Sequence, residues 1–147
     1  MNALSMLQCA MLFMTAIIVG CGRSTYPVTG DVVVKPDGVT LPGGTVEFRS
    51  DAYIAEGTIA EDGTFELQTR GLGRGALPGN YQVIVAPVTP SDLEGIPREQ
   101  QALAMEPVDR KYRDYSTTPL RFTVTPDKSQ NVFHIELERS KYGNIGR

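Results

Sequence analysis

The side chains able to do chemistry are few in this chain of 147 residues: two cysteines, one histidine and a scatter of carboxylates. Cys21 stands at the end of an apolar run, behind Ile18-Val19-Gly20 and ahead of Gly22. A thiol is a nucleophile in its thiolate form, and small neighbours leave this one open to an enzyme. His134 lies between Phe133 and Ile135, so strand alternation sends it to the opposite, solvated face. A triad would need it beside a serine and a carboxylate, and a zinc site would need more His or Cys than this chain holds. Asp31, Asp37 and Asp62 carry oxygens of the kind that bind calcium, but each sits beside a turn, where Asp is favoured for bonding local backbone. The glycines from 71 to 79 lack the Lys-Ser/Thr ending of a phosphate-binding loop, and a strand pattern follows them. Tyr112, Arg113 and Tyr115 belong to types enriched at interfaces and able to stack on sugars; they form the candidate binding surface, with aromatic closure of a sheet edge as the alternative. No catalytic residue, metal or cofactor is expected.

The run from Ala10 to Gly20 covers roughly 16 Å as a helix, against a hydrocarbon core of about 30 Å, and so reads as a signal-peptide core. Its end resembles the cleavage site of bacterial lipoproteins: a branched apolar residue, a small or apolar residue, Gly or Ala, then the cysteine that receives diacylglycerol. The resemblance places those roles on Ile18, Val19, Gly20 and Cys21, with lipid attachment at Cys21. Two or more acyl chains give lasting anchorage where one is marginal. The pattern departs in Ile18, where Leu is commoner, and in a leader without Lys or Arg. Ordinary secretory cleavage after Gly22 competes, since Gly20 lies three residues back, as does an uncleaved anchor. Gly22 stands where Asp would favour inner-membrane retention, which points to the outer membrane or the periplasmic face.

All 14 Lys and Arg and all 17 Asp and Glu lie beyond residue 20, so residues 21–147 carry the formal charge of −3. With no basic run longer than Arg110-Lys111, no nucleic-acid partner is expected. Cys9 departs with the leader and Cys21 takes the lipid, so the expected mature domain has no disulfide and is held by packing. The 15 Gly and 10 Pro, roughly 17% of the chain, exceed the average of about 12% without reaching the disorder range, which suits many short strands.

Residues 21–27 read as a polar tether, 28–139 as one β-sandwich domain and 140–147 as a flexible tail. Seven strands are predicted from alternation and turns. They run over Val28–Lys35, Thr45–Arg49, Ile54–Ala60, Thr64–Thr69, Asn80–Ala86, Leu120–Val124 and Phe133–Leu137. Asp62-Gly63 marks a hairpin, and 70–79 a loose loop. Between Pro87 and Thr118 no strand period holds; propensity favours a short helix over Arg98–Met105. The expected fold is all-β, a two-sheet sandwich of about seven strands with one long loop.

Four blocks in order resemble the carboxypeptidase regulatory-like, or transthyretin-like, β-sandwich family. They are Val28-Thr29-Gly30-Asp31-Val32; Leu41-Pro42-Gly43-Gly44-Thr45-Val46; Thr58 through Asp62-Gly63-Thr64-Phe65; and Leu77-Pro78-Gly79-Asn80-Tyr81 with Val83 and Val85. The closest likeness is to small bacterial lipoproteins with one such domain. One transthyretin-related branch hydrolyses 5-hydroxyisourate with several histidines and a terminal Tyr-Arg-Gly-Ser. This chain has one histidine and ends Lys141-Tyr142-Gly143-Asn144-Ile145-Gly146-Arg147, so that activity does not transfer. The anchor and the lack of catalytic groups point to a membrane-anchored cell-envelope lipoprotein, non-enzymatic, binding or scaffolding through its loops, chiefly 88–117. Its partners would be the membrane, through Cys21, and envelope proteins or glycans. The alternative is a carbohydrate-binding module on the cell surface.

Overall fold

The computed structural model describes residues 23–88, Gly95 and residues 108–139. Ten strands form two sheets: β1 (Thr29–Lys35), β2 (Val39–Thr40), β3 (Thr45–Arg49), β4 (Ile54–Thr58), β5 (Thr64–Glu66), β6 (Gln68–Thr69), β7 (Gly73–Arg74), β8 (Gly79–Ala86), β9 (Arg121–Val124) and β10 (Val132–Glu138). One sheet has the order β10-β1-β2, with β5 also on β1; the other runs β7-β6-β4-β3-β8-β9. The only helices among the described residues are 3-10 turns at Arg110–Arg113 and Lys128–Gln130. The fold is all-β with two sheets, as the alternation predicts.

Period two decides which side chains meet between the sheets. Val32, Val34, Ile135 and Leu137 face inward from one; Val46, Phe48, Ala55, Tyr81, Val83, Val85 and Val124 from the other, all buried. Phe48 lies at the centre, its ring 5.8 Å from Phe122 and Phe133, 6.0 Å from Tyr81 and 6.3 Å from Phe65. The packing is close: a Cβ on Gly30 would stand 2.1 Å from the Phe133 carbonyl oxygen and 2.7 Å from the Phe65 ring.

Three features differ from the sequence reading. The expected strand Thr64–Thr69 changes sheets at Leu67: β5 pairs with β1 before it and β6 with β4 after it. The loop 70–79 is a tight hairpin, in which β7 pairs with β6 and the Gly75 amide donates to the Leu67 carbonyl at 2.6 Å. Residues 108–118 belong to the domain body and not to a free loop, as Tyr112 and Thr118 are buried there. The expected helix over Arg98–Met105 and the tail 140–147 lie outside the described residues.

The sheets join along one side through Leu67 and along the other through the β9–β10 connection, where Asn131 is 1% exposed. Its side chain donates to the Thr125 carbonyl at 2.8 Å and accepts from the Thr125 amide at 2.9 Å, and its own carbonyl accepts from Thr29 at 3.1 Å. A buried amide is thereby satisfied on both its atoms.

Phe48→Ala removes the ring shared by four aromatic neighbours, and a destabilisation of about 3–5 kcal/mol is expected from the lost burial and the cavity. Urea titration followed by far-UV circular dichroism checks this; a loss under about 1 kcal/mol would mean that the core collapses freely around the gap.

Candidate functional site

The described chain starts at Arg23, two residues after Cys21. The Arg23 guanidinium lies 5.8 Å above the Tyr53 ring. Tyr26 forms a two-bond bridge with Ala76, amide to carbonyl at 2.8 and 2.9 Å. So within the expected tether 21–27, the part from Tyr26 onward is bonded to the domain.

The segment carrying Tyr112, Arg113 and Tyr115 starts at Val108, which bridges Arg139 beyond the end of β10. Asp109 caps the 3-10 turn by accepting from the Lys111 amide at 3.0 Å. This turn sends Tyr112 inward, where it is 3% exposed and its hydroxyl accepts from the Glu138 amide at 3.3 Å. Lys111 covers its ring at 4.9 Å and pairs with Glu138 at 2.6 Å. Tyr112 is therefore a core residue closing the sandwich edge, the alternative reading given for it, and its side chain is not part of the candidate binding surface. Arg113 stays exposed and donates to the Val108 carbonyl at 3.3 Å.

Tyr115 comes down on the outer face of the six-stranded sheet. Its hydroxyl donates to Glu47 at 2.5 Å, its carbonyl accepts from the Gln82 side chain, and Arg49 lies 5.1 Å over its ring. Burial first, and then the Glu47 carboxylate, push the ionisation of the hydroxyl above the ordinary tyrosine range. The structure thus separates the three expected contact residues, with one in the core, one on the sheet face and one in solvent.

His134 is exposed on β10, directly opposite Asp31 on β1, with Nδ1 2.6 Å from the carboxylate and Nε2 3.8 Å from Glu136. Asp37 pairs with Arg139 at 3.0 Å, and Asp62 accepts from the amide and hydroxyl of Thr64. The three aspartates therefore have separate partners: Asp62 bonds within its own turn, as expected, whereas Asp31 and Asp37 pair with His134 and Arg139, more than 100 residues along the chain. Among the described residues no group of three or more His, Cys, Asp or Glu is placed to hold a metal ion.

One concavity was not visible in the sequence. It lies between the β3–β4 turn, the approach to β8 and strand β9, lined among others by Arg49, Asp51, Tyr53, Asn80, Gln82 and Arg121. Register explains it: Arg49 opposes Gln82 and Gln82 opposes Arg121, making one row across β3, β8 and β9. Among the described residues, neither arginine has a carboxylate at ion-pair distance; Arg121 donates to the Thr118 and Leu120 carbonyls at 2.8 and 2.9 Å. Comparison with protein-family models, with curated proteins and with solved structures finds no match. This surface offers guanidiniums, amides, the Asp51 carboxylate and a tyrosine ring as binding groups.

The raised Tyr115 ionisation has a consequence in alkali. The folded chain keeps a proton that the unfolded chain releases from about pH 10 upward, so the contribution is complete below that pH and is lost as pH rises above it. Tyr115→Phe should flatten this alkaline decline, with Tyr81, also raised by burial, supplying a remainder. Urea titrations across about pH 9 to 11 measure the slope; identical slopes in both proteins would show that Tyr115 ionises freely.

Proposed function

We propose that the chain is a bacterial cell-envelope lipoprotein, held to a membrane by acyl chains on Cys21, whose sandwich binds or scaffolds and does not catalyse. The observation that carries this reading is the sequence Ile18-Val19-Gly20-Cys21-Gly22 at the end of an apolar stretch too short to span a bilayer. Its support in the structure is that the folded domain begins close behind the thiol, with Arg23 already on Tyr53.

The carboxypeptidase regulatory-like or transthyretin-like type of sandwich is part of the proposal. In its favour, the four blocks fall where a fold motif should: at the start of β1, the entry to β3, the Asp62-Gly63 turn before β5 and the entry to β8. The carbohydrate reading drew on Tyr112 and Tyr115 as stacking rings. With Tyr112 in the core and Arg49 over Tyr115, these two do not form a sugar platform, so protein contacts are the reading we favour.

Mass spectrometry of the amino-terminal peptide from membrane-purified protein should find an acylated Cys21, and Cys21→Ser should move the protein out of the membrane fraction. A bare thiol on a membrane-free protein would remove the anchor. For the binding role, residues 89–107 are the segment to replace, because 108–118 is part of the fold. Crosslinking in the native envelope should lose its partners when 89–107 becomes a Gly-Ser linker; an unchanged partner set would place binding elsewhere.

A further inference from the structure

The strand register gives this domain two unlike ends. Arg49 ends β3, Ile54 starts β4, Gly79 starts β8 opposite Val124, and Thr69 lies opposite Ala55, so these residues share one end of the six-stranded sheet. The Leu67 amide bonds the Val28 carbonyl at 3.0 Å and Tyr26 bridges Ala76, so β1 starts at that same end. Because β10 runs parallel to β1, Val132 lies there too, opposite Thr29. The chain leaves Ala86 and Arg139 at the other end.

Among the described residues, three of the four exposed large hydrophobic residues lie at the first end: Ile54 at 39%, Leu72 at 40% and Val132 at 66% exposure; Val39, at 44%, lies at the other. Arg23, Arg49 and Arg121 are there as well, held by rings and carbonyls and paired with no carboxylate of the described residues. Two residues of chain reach at most about 7 Å, so a lipid on Cys21 brings the bilayer surface within that distance of Arg23.

We infer that this end of the sandwich is a lipid-contacting surface, its arginines meeting the phosphates of anionic headgroups and its apolar residues the headgroup boundary. The inference rests on the lipoprotein reading above, and commits to the membrane itself as occupant. Guanidiniums suit phosphate because their donors are forked and their charge is permanent. The opposite end, where residues 87 and 108 emerge, then faces away from the bilayer.

The chain has no tryptophan, so one introduced indole is a unique reporter. Acylated Leu72→Trp and Val39→Trp proteins, extracted from membranes, are reconstituted in vesicles of brominated phosphatidylcholine with or without phosphatidylglycerol. Co-flotation is read first. Trp fluorescence should fall by about half for Leu72→Trp and little for Val39→Trp, as an indole seated at the acyl boundary is reached by bromine. Adding Arg49→Gln and Arg121→Gln should cut the ratio of seated to lifted domain by about fivefold per arginine on phosphatidylglycerol vesicles. Protein that fails to float removes the anchor and this inference together. Protein that floats with Leu72→Trp unquenched, or with both reporters quenched alike, overturns the inference alone. Equal quenching with and without phosphatidylglycerol overturns the headgroup part.

Discussion

Strand β1 is bonded on both edges, and its partner on one of them, β10, runs parallel to it from 103 residues further along the chain. Inward, Val32 meets Ile135 and Val34 meets Leu137, all at most 2% exposed. Outward, Asp31 meets His134 and Lys35 reaches Glu136 at 2.5 Å. The inner pairs supply the burial, since exposed ion pairs contribute little. The outer pairs bear on register. A one-residue slip would turn the apolar set to solvent, and a two-residue slip that set Asp31 opposite Glu136 would keep the core but oppose like charges. Closing so long a segment is entropically costly, so the neighbours on the other edge of β1, β2 and β5, can form before β10 arrives.

How far the sequence exposes this structure follows from what period two can encode. It marks which residues face inward, and the interior follows the predicted alternation for Val32, Val46, Phe48, Phe65, Tyr81, Val83, Ile135 and Leu137. It is blind to the partner. Phe65, Leu67 and Thr69 point inward whether or not the chain changes sheets between them, so the break at Leu67 leaves no trace in the pattern. Parallel pairing of β1 with β10 is hidden for the same reason. Residues 108–118 have no period at all; their place is set by Asp109 capping a single turn and by the Thr118 hydroxyl on the Val83 carbonyl at 2.7 Å. That is why the sequence leaves Tyr112 open between a binding surface and closure of a sheet edge, and only the turn shows that it lies in the core.

The candidate site shows the same division. Aspartates near turns are legible, and three of them repeat one device. Asp62, Asp114 and Asp127 each accept from the amide and the hydroxyl of the Ser or Thr two residues on. Those hydrogen bonds hold all three carboxyls below the usual range. Their oxygens are engaged in shaping turns, which accounts for their positions without a ligand. The row Arg49, Gln82 and Arg121 exists only once three strands distant in sequence are laid side by side, so no motif could announce it.

In the proposed lipoprotein, the direction in which the domain would face a membrane depends on how the chain enters it. Tyr26 can lie along Ala76 because Gly75 beside it has no side chain: a Cβ there would stand 2.1 Å from the Tyr26 carbonyl oxygen, and its φ of +89° suits glycine in any case. A free tether of seven residues would let the sandwich turn over above its anchor. Docked from Tyr26, with Arg23 resting on Tyr53, the chain between thiol and domain is too short for that. From this fixed entry β1 runs to the opposite end, and β10, parallel to it, delivers Arg139 there as well. One small residue at the entry and one parallel pair in the body therefore decide together, in the proposed lipoprotein, which end would meet lipid and which would point away from it.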